Sequence, residues 1–235
     1  MTDENQPVVP TEPAAADKPK RKASPQDQAS INRINEYYTR LIAVKANRPL
    51  ADLLQARGYD DAGLDEGLAL IGAAQASFNA IESTRDDRTR SAAALRATDQ
   101  DVRLSFANFR KIAGGAFKDD AAAKSALKVT GRIPNDQQKF FSFADGAYEN
   151  ALKQPYITVL GKRGYTPDAL AAERAKLTVL TAAIAGLRTA EDARKNTVSQ
   201  RTAAVKAADR WWAEFSAVAE VATQNQPQWR GQLGL

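Results

Sequence analysis

The chain has 235 residues, 43% of them hydrophobic, with 33 basic and 28 acidic side chains and a net charge of +5. It contains no cysteine and no histidine, which excludes disulfides, thiolate metal sites and histidine as a general base or metal ligand. No apolar run approaches the roughly 18 residues of a membrane span. The acidic, polar N-terminus does not resemble a secretory signal. We therefore expect a cytoplasmic protein that is not an enzyme and carries no cofactor and no metal.

Residues 1–27 are expected to form a disordered tail. Residues 1–26 hold five of the ten prolines, and the only sizeable apolar side chains there are Val8 and Val9. Such a segment buries too little surface to offset the entropy of ordering. The basic block 18–22 is compatible with nucleic-acid binding, although we interpret it as part of an extended, solubilising tail.

The rest of the chain shows an apparent internal repeat with an offset of 106 residues. The tripeptide Arg-Gly-Tyr at 57–59 recurs at 163–165, and the ungapped alignment of 31–117 with 137–223 contains 15 identities in 87 positions. Apolar positions also coincide. We predict an all-α fold with two tandem helical-bundle repeats, 28–117 and 137–223, separated by a linker at 118–136 and followed by a C-terminal tail at 224–235.

Each repeat is predicted to begin with an amphipathic helix, because apolar residues recur there at steps of three and four. Pro49 and Pro155 then interrupt the two patterns at equivalent positions. Short helices are expected at 50–56 and 156–162. No alternating pattern of a β-strand is present.

The Arg-Gly-Tyr tripeptides predict a helix end followed by a new helix start. Gly58 and Gly164 are expected to adopt the left-handed conformation that terminates a helix. Asp60 and Thr166 are expected to cap the next helix at its N-terminus. We interpret these four residues as structural caps.

The longest periodic runs, 61–114 and 168–222, allow two interpretations. Each is either one helix of about 50 residues, or a helical hairpin that turns near 83–87 and 188–192, where the apolar face is interrupted by charged residues. The absence of glycine and proline from these turns favours the long helix. The loss of the apolar face, together with side chains able to cap a new helix, favours the hairpin, which we expect. Each repeat would then be a small antiparallel bundle.

The linker is predicted to contain one short helix at 120–129. The C-terminal tail is expected to be loose, with Trp229 as a residue that could dock on the fold.

Several exposed-site candidates stand out for interaction rather than catalysis. Trp211 aligns with Ser105 of the other repeat, so it has no equivalent core position. We interpret it as packing within the molecule, and the alternative is a contact with the other repeat, a partner or a ligand. An edge of basic residues is spaced by seven along one helix; it comprises Arg96, Arg103 and Arg110, with Lys111 beside them. We expect these charges to solubilise the helix or to form ion pairs, and the alternative is contact with an anionic partner. Gly63 and Gly67 have the spacing that permits close approach of two helices.

No catalytic constellation is recognisable in the sequence. Carboxylates such as Asp61 and Asp65 fit helix starts and surfaces better than a metal site. Serine, lysine and tyrosine show no spacing typical of a nucleophile with its base. The sequence favours a helical scaffold that binds a protein partner or itself. Two alternatives remain: a nucleic-acid-associated protein that uses the basic tail and the arginine edge, and a helical bundle that binds a small molecule.

Overall fold

The computed structural model describes residues 24–234, and the tail predicted for 1–23 lies outside them. Within the described residues the chain is all-helical and has no strand. The eight helices are α1 (Pro25–Ala46), α2 (Arg48–Gln55), α3 (Asp61–Ala116), α4 (Ala121–Ala126), α5 (Gln137–Ala151), α6 (Tyr156–Gly161), α7 (Pro167–Ala222) and α8 (Pro227–Leu233).

Helix α1 begins earlier than the sequence pattern indicates. Ser24 caps it by accepting a hydrogen bond from the backbone N–H of Asp27, and Pro25 occupies the first turn. Proline suits this position because the first helical N–H groups have no partner within the helix. The end of the predicted tail, 25–27, is therefore helical, and that boundary was wrong.

The predicted hairpins are wrong, because α3 and α7 are each one continuous helix of 56 residues. At 1.5 Å per residue each is about 84 Å long. The charged interruptions remain helical: Arg88 of α3 donates to Glu191 of α7 over 3.2 Å. The side chains that suggested a turn thus pair across the two helices.

Helices α3 and α7 run antiparallel and contact each other along their length. Three contacts define the register, since Gly67 meets Trp211, Arg88 meets Glu191 and Ser105 meets Glu173. The residue numbers in each pair sum to nearly the same value. The start of each long helix therefore packs beside the end of the other.

Two separate apolar cores lie at opposite ends of this pair. We call one end of the pair the inner end. Its core joins the second half of α3 and the first half of α7 to α5, α6 and the linker. We call the opposite end the outer end. Its core joins the first half of α3 and the second half of α7 to α1, α2 and α8. Each core draws on both halves of the chain, so the expectation that each repeat forms its own bundle is wrong.

Helix bounds recur at the offset seen in the sequence. Both ends of α7 lie 106 residues after those of α3, and α8 begins 106 residues after α4. Leu127, which follows α4, and Leu233, which ends α8, are both buried. The C-terminal segment expected to be loose is thus a helix that docks on the outer end, with Trp229 packed against the same core.

Among the described residues, the section between the two cores consists mainly of the two long helices. We call this section the waist; it comprises 78–92 of α3 and 187–201 of α7. Asp27 of α1 reaches its edge by pairing with Arg201. Phe78 and Leu187 at its borders are half-buried, and Val198 is 36% exposed. These apolar positions follow the predicted seam and remain partly exposed.

No helix among residues 24–234 has both the length and the apolar character needed to cross a bilayer.

Candidate functional site

The four cap residues lie at the starts of the two long helices. Gly58 and Gly164 have φ angles of 95° and 92°, in the left-handed region that favours glycine. The side chain of Asp60 accepts from the N–H of Gly63, and that of Thr166 accepts from the N–H of Ala169. These contacts direct the chain from the short helices α2 and α6 into α3 and α7.

Trp211 is buried in the outer end, where only 9% of its surface is exposed. Its ring stacks on Phe215 with centroids 5.1 Å apart, and Tyr59 meets it edge-on at 5.9 Å. The six-membered ring of the indole lies against Gly67. Trp211 therefore packs within the fold and does not present its ring to solvent.

The equivalent position at the inner end holds a polar cluster, which we call the Glu173 cluster. Ser105 donates to Glu173 through Oγ over 2.5 Å. Lys176 donates from Nζ to Ser105 Oγ over 2.9 Å and to Glu173 Oε1 over 3.0 Å. The Glu173 carboxylate thus accepts one hydrogen bond from the Ser105 hydroxyl of α3 and one from the Lys176 ammonium of α7.

Tyr148 of α5 borders the Glu173 cluster. Its side chain is almost fully buried, and its hydroxyl lies 3.5 Å from Glu173 Oε2. Burial raises the pKa of Tyr148 far above its usual value, and the negative charge of Glu173 raises it further. The phenol is therefore held neutral and acts as a hydrogen-bond donor.

The chemistry of the Glu173 cluster favours a structural role over a catalytic one. A serine nucleophile needs a neighbouring base that can take its proton. Here Lys176 pairs as an ammonium with Glu173, and Ser105 already donates its proton to the same carboxylate. The three side chains satisfy one another.

The predicted arginine edge does not form one surface. Arg103 donates to the carbonyls of Pro134 and Asn135, over 2.7 and 3.0 Å, and pairs with Asp99. Its guanidinium also lies 4.3 Å above the ring of Phe140.

Arg110 makes a second contact of the same kind. It donates to the carbonyls of Val129 and Gly131, and burial lowers its pKa. Arg103 and Arg110 thus fasten the linker to α3. Arg96 and Lys111 are exposed and take no part in this contact.

Two open grooves lie on the surface of the inner end. The larger, of about 760 Å³, follows the linker and the start of α5, and its lining includes Lys128, Pro134, Lys139 and Phe143. The smaller, of about 300 Å³, lies between α3 and α7 beside Lys176 and Val179. Among the described residues, no group of three His, Cys, Asp or Glu side chains is placed to hold a metal ion.

Sequence reasoning missed the Glu173 cluster, although the repeat alignment contained a signal for it. Gly67 aligns with Glu173, and Trp211 aligns with Ser105. Antiparallel pairing brings the two members of each end together, so glycine opposes tryptophan at the outer end while glutamate opposes serine at the inner end. In both pairs α7 supplies the large side chain and α3 the small one, so the large side chain stands at non-equivalent positions of the two repeats.

No protein-family model matches the chain, and no curated protein or solved structure matches it either.

Proposed function

We propose that this protein is a non-enzymatic helical scaffold whose long central pair holds two interaction ends apart. The observation that carries the proposal is the continuity of α3 and α7, two 56-residue helices with a separate core at each end. Paired helices of about 84 Å can set a distance between two bound surfaces. The cytoplasmic location expected from the sequence is part of the proposal and stays a prediction.

The two ends are proposed to descend from one duplicated helical unit. The shared offset of α3 with α7 and of α4 with α8 supports this origin, as do the paired cap residues Gly58 and Gly164. The two ends differ chemically, because Gly67 pairs with Trp211 at the outer end and Ser105 pairs with Glu173 at the inner end. Different ends suit a scaffold that engages two different surfaces.

The alternative functions receive less support from the contacts. Arg103 and Arg110, which were candidates for binding nucleic acid, are engaged by linker carbonyls. For a small-molecule bundle, the grooves lie open at the surface of the inner end, and neither joins the two cores. The Glu173 cluster supports the non-enzymatic proposal because its members are already paired.

Site-specific photo-crosslinking in cells of the native host tests the scaffold proposal. A photoreactive residue is placed at exposed positions of each end, Arg57 and Lys118, and at Asp192 in the waist. We expect discrete adducts from the two end positions and a much weaker signal from the waist. Adducts from the waist alone, or from none of the three positions, would contradict the proposal.

A further inference from the structure

The positive charge of the described chain is concentrated at the inner end. Residues 93–186 contain 14 basic and 9 acidic side chains, whereas 24–92 and 187–234 together contain 15 of each. The excess of five positive charges therefore lies entirely in the segment that forms the inner end. The two ends share a helix layout, so this difference is a property of their surfaces and not of their architecture.

Exposed lysines and arginines of the inner end account for this excess. Ion pairs at this end use Arg103, Lys153, Arg174 and Lys176. None of the ion pairs within the described residues uses the exposed cations of the linker and the neighbouring helix starts, which are Lys118, Lys128, Arg132, Lys139, Lys162 and Arg163. Their charges are therefore available to a partner.

The linker presents part of this charge on a fixed loop. Arg103 and Arg110 bind four of its carbonyls, at residues 129, 131, 134 and 135. Lys128 and Arg132 project from this loop, and Lys128 lines the larger groove together with Lys139. Because the loop is anchored on its inner side, a partner would not bear the entropic cost of ordering these groups.

The lining of the groove combines basic and apolar side chains. It includes Lys128 and Lys139 together with Pro134 and Phe143, and the polar residues Gln138 and Ser142. The face of Phe143 is occupied by the Arg110 guanidinium, 6.0 Å from the ring centre, so it offers no platform for stacking a base. These features favour a polypeptide over a nucleic acid.

We propose that the groove at the start of α5 docks an acidic polypeptide segment that carries an apolar side chain. Carboxylates of the segment pair with Lys128, Arg132 and Lys139, and its apolar side chain contacts Pro134 and the exposed part of Phe143. This inference rests on the proposed scaffold function and names the chemistry of one partner. The outer end, whose charges balance, does not share this specificity.

The test is a binding titration of the full chain with a fluorescein-labelled peptide of ten residues, eight glutamates flanking a central Leu-Leu pair. A peptide with eight glutamines in place of the glutamates and a 20-nucleotide oligo-dT are the comparison probes. We expect the acidic peptide to bind more tightly than both, with an affinity that falls between 50 and 300 mM salt.

Charge reversal locates the binding surface. The double variant Lys128→Glu/Lys139→Glu is expected to weaken peptide binding by about tenfold or more, since it removes two charge pairs and adds repulsion. The matched control is Lys195→Glu/Lys206→Glu, which removes the same charge from exposed positions of α7. Unchanged circular dichroism and melting temperature show that both variants are folded.

Three results would overturn the inference: no peptide binding at low salt, equal weakening by the control variant, or tighter binding of oligo-dT than of the peptide. These outcomes are separable from the scaffold test, because failure of the peptide to bind leaves the crosslinks at both ends unaffected. Loss of all crosslinks would instead remove the scaffold proposal.

Discussion

Gly67 of α3 lies directly against the ring of Trp211 of α7 at the outer end. A Cβ atom at residue 67 would overlap three carbons of the Trp211 ring. The spacing of Gly63 and Gly67 suggested a close helix approach, and the structure shows that only Gly67 requires it, because a Cβ at Gly63 would make ordinary contacts of 3.5–3.8 Å. The Trp211 ring can therefore occupy this position only because residue 67 has no side chain.

Replacing Gly67 by alanine should destabilise the fold by about 1–3 kcal/mol, because the indole must move in a packed core. Gly72→Ala in the same helix is the matched control. Nothing lies within 4 Å of a Cβ at that position, so the higher helix propensity of alanine should stabilise by about 0.5–1 kcal/mol. Urea unfolding measures both; equal effects of the two substitutions would refute the packing argument.

The helix end at Gly58 should tolerate no β-carbon despite the open space around it. Its φ of 95° is strained for other residues, so Gly58→Ala should cost about 1–2 kcal/mol although no atom would clash. Gly186→Ala, in an equally open position within α7, is the control and should be neutral or stabilising. Thermal melts compare the variants, and an unchanged melting temperature for Gly58→Ala would argue against the cap.

Stability should decrease at alkaline pH because of Tyr148. Its pKa is raised in the folded state by burial and by Glu173. The folded state therefore keeps the phenol proton that the unfolded chain releases near pH 10. This contribution is fully present below pH 10 and is lost as the pH rises above it, by up to about 1.4 kcal/mol per pH unit.

Unfolding midpoints between pH 8 and pH 11 test this dependence. Tyr148→Phe should reduce the alkaline decline, whereas Tyr38→Phe, at a tyrosine with 42% of its surface exposed, should leave it unchanged. If the wild type and Tyr148→Phe decline in parallel, Tyr148 is not the source of the alkaline instability.

Arg103 should control the order of the linker. Arg103→Ala removes the donors to two linker carbonyls, so amide hydrogen exchange at 129–136 should accelerate by about tenfold or more. Lysine should not restore protection, because one ammonium cannot replace the forked contact with two carbonyls and Asp99. Arg96→Ala, at the exposed arginine one heptad earlier, is the control and should leave exchange unaltered.

The waist should gain stability from an apolar pair at Arg88 and Glu191. Both side chains are about two-fifths exposed, so their ion pair contributes at most about 1 kcal/mol. The double variant Arg88→Leu/Glu191→Leu should raise the melting temperature and slow hydrogen exchange in the waist. Glu191→Leu alone leaves Arg88 without its partner and should not do so. Faster exchange in the double variant would show that the ion pair holds the waist together.

The sequence predicted the seam of the long helices better than their continuity. Leu64, Ile71, Phe106 and Phe215 are buried as expected, because their spacing depends only on helix periodicity. The hairpin was expected because Arg88 and Glu191 interrupt the apolar face, and a local pattern does not reveal that the two residues pair across helices.

Long-range partners explain the other differences. Trp211 was a candidate contact residue because its neighbour Gly67, 144 positions away, is not visible from local sequence. Arg103 and Arg110 likewise resembled a free basic edge, since nothing in their spacing shows that linker carbonyls occupy them. The cap residues could be predicted from local sequence, because Asp60 and Thr166 accept hydrogen bonds from backbone N–H groups only three residues away.

Because the long helices are divided between two cores, the two cores can form at different times during synthesis. The inner core uses a contiguous stretch, from Leu95 to Leu187. The outer core joins residues near Ile34 to residues as late as Leu233. On a translating ribosome, the inner core can form before the end of α7 and helix α8, which complete the outer core, have been synthesised. The outer core is thus completed last, although α1 can already pack on the first half of α3.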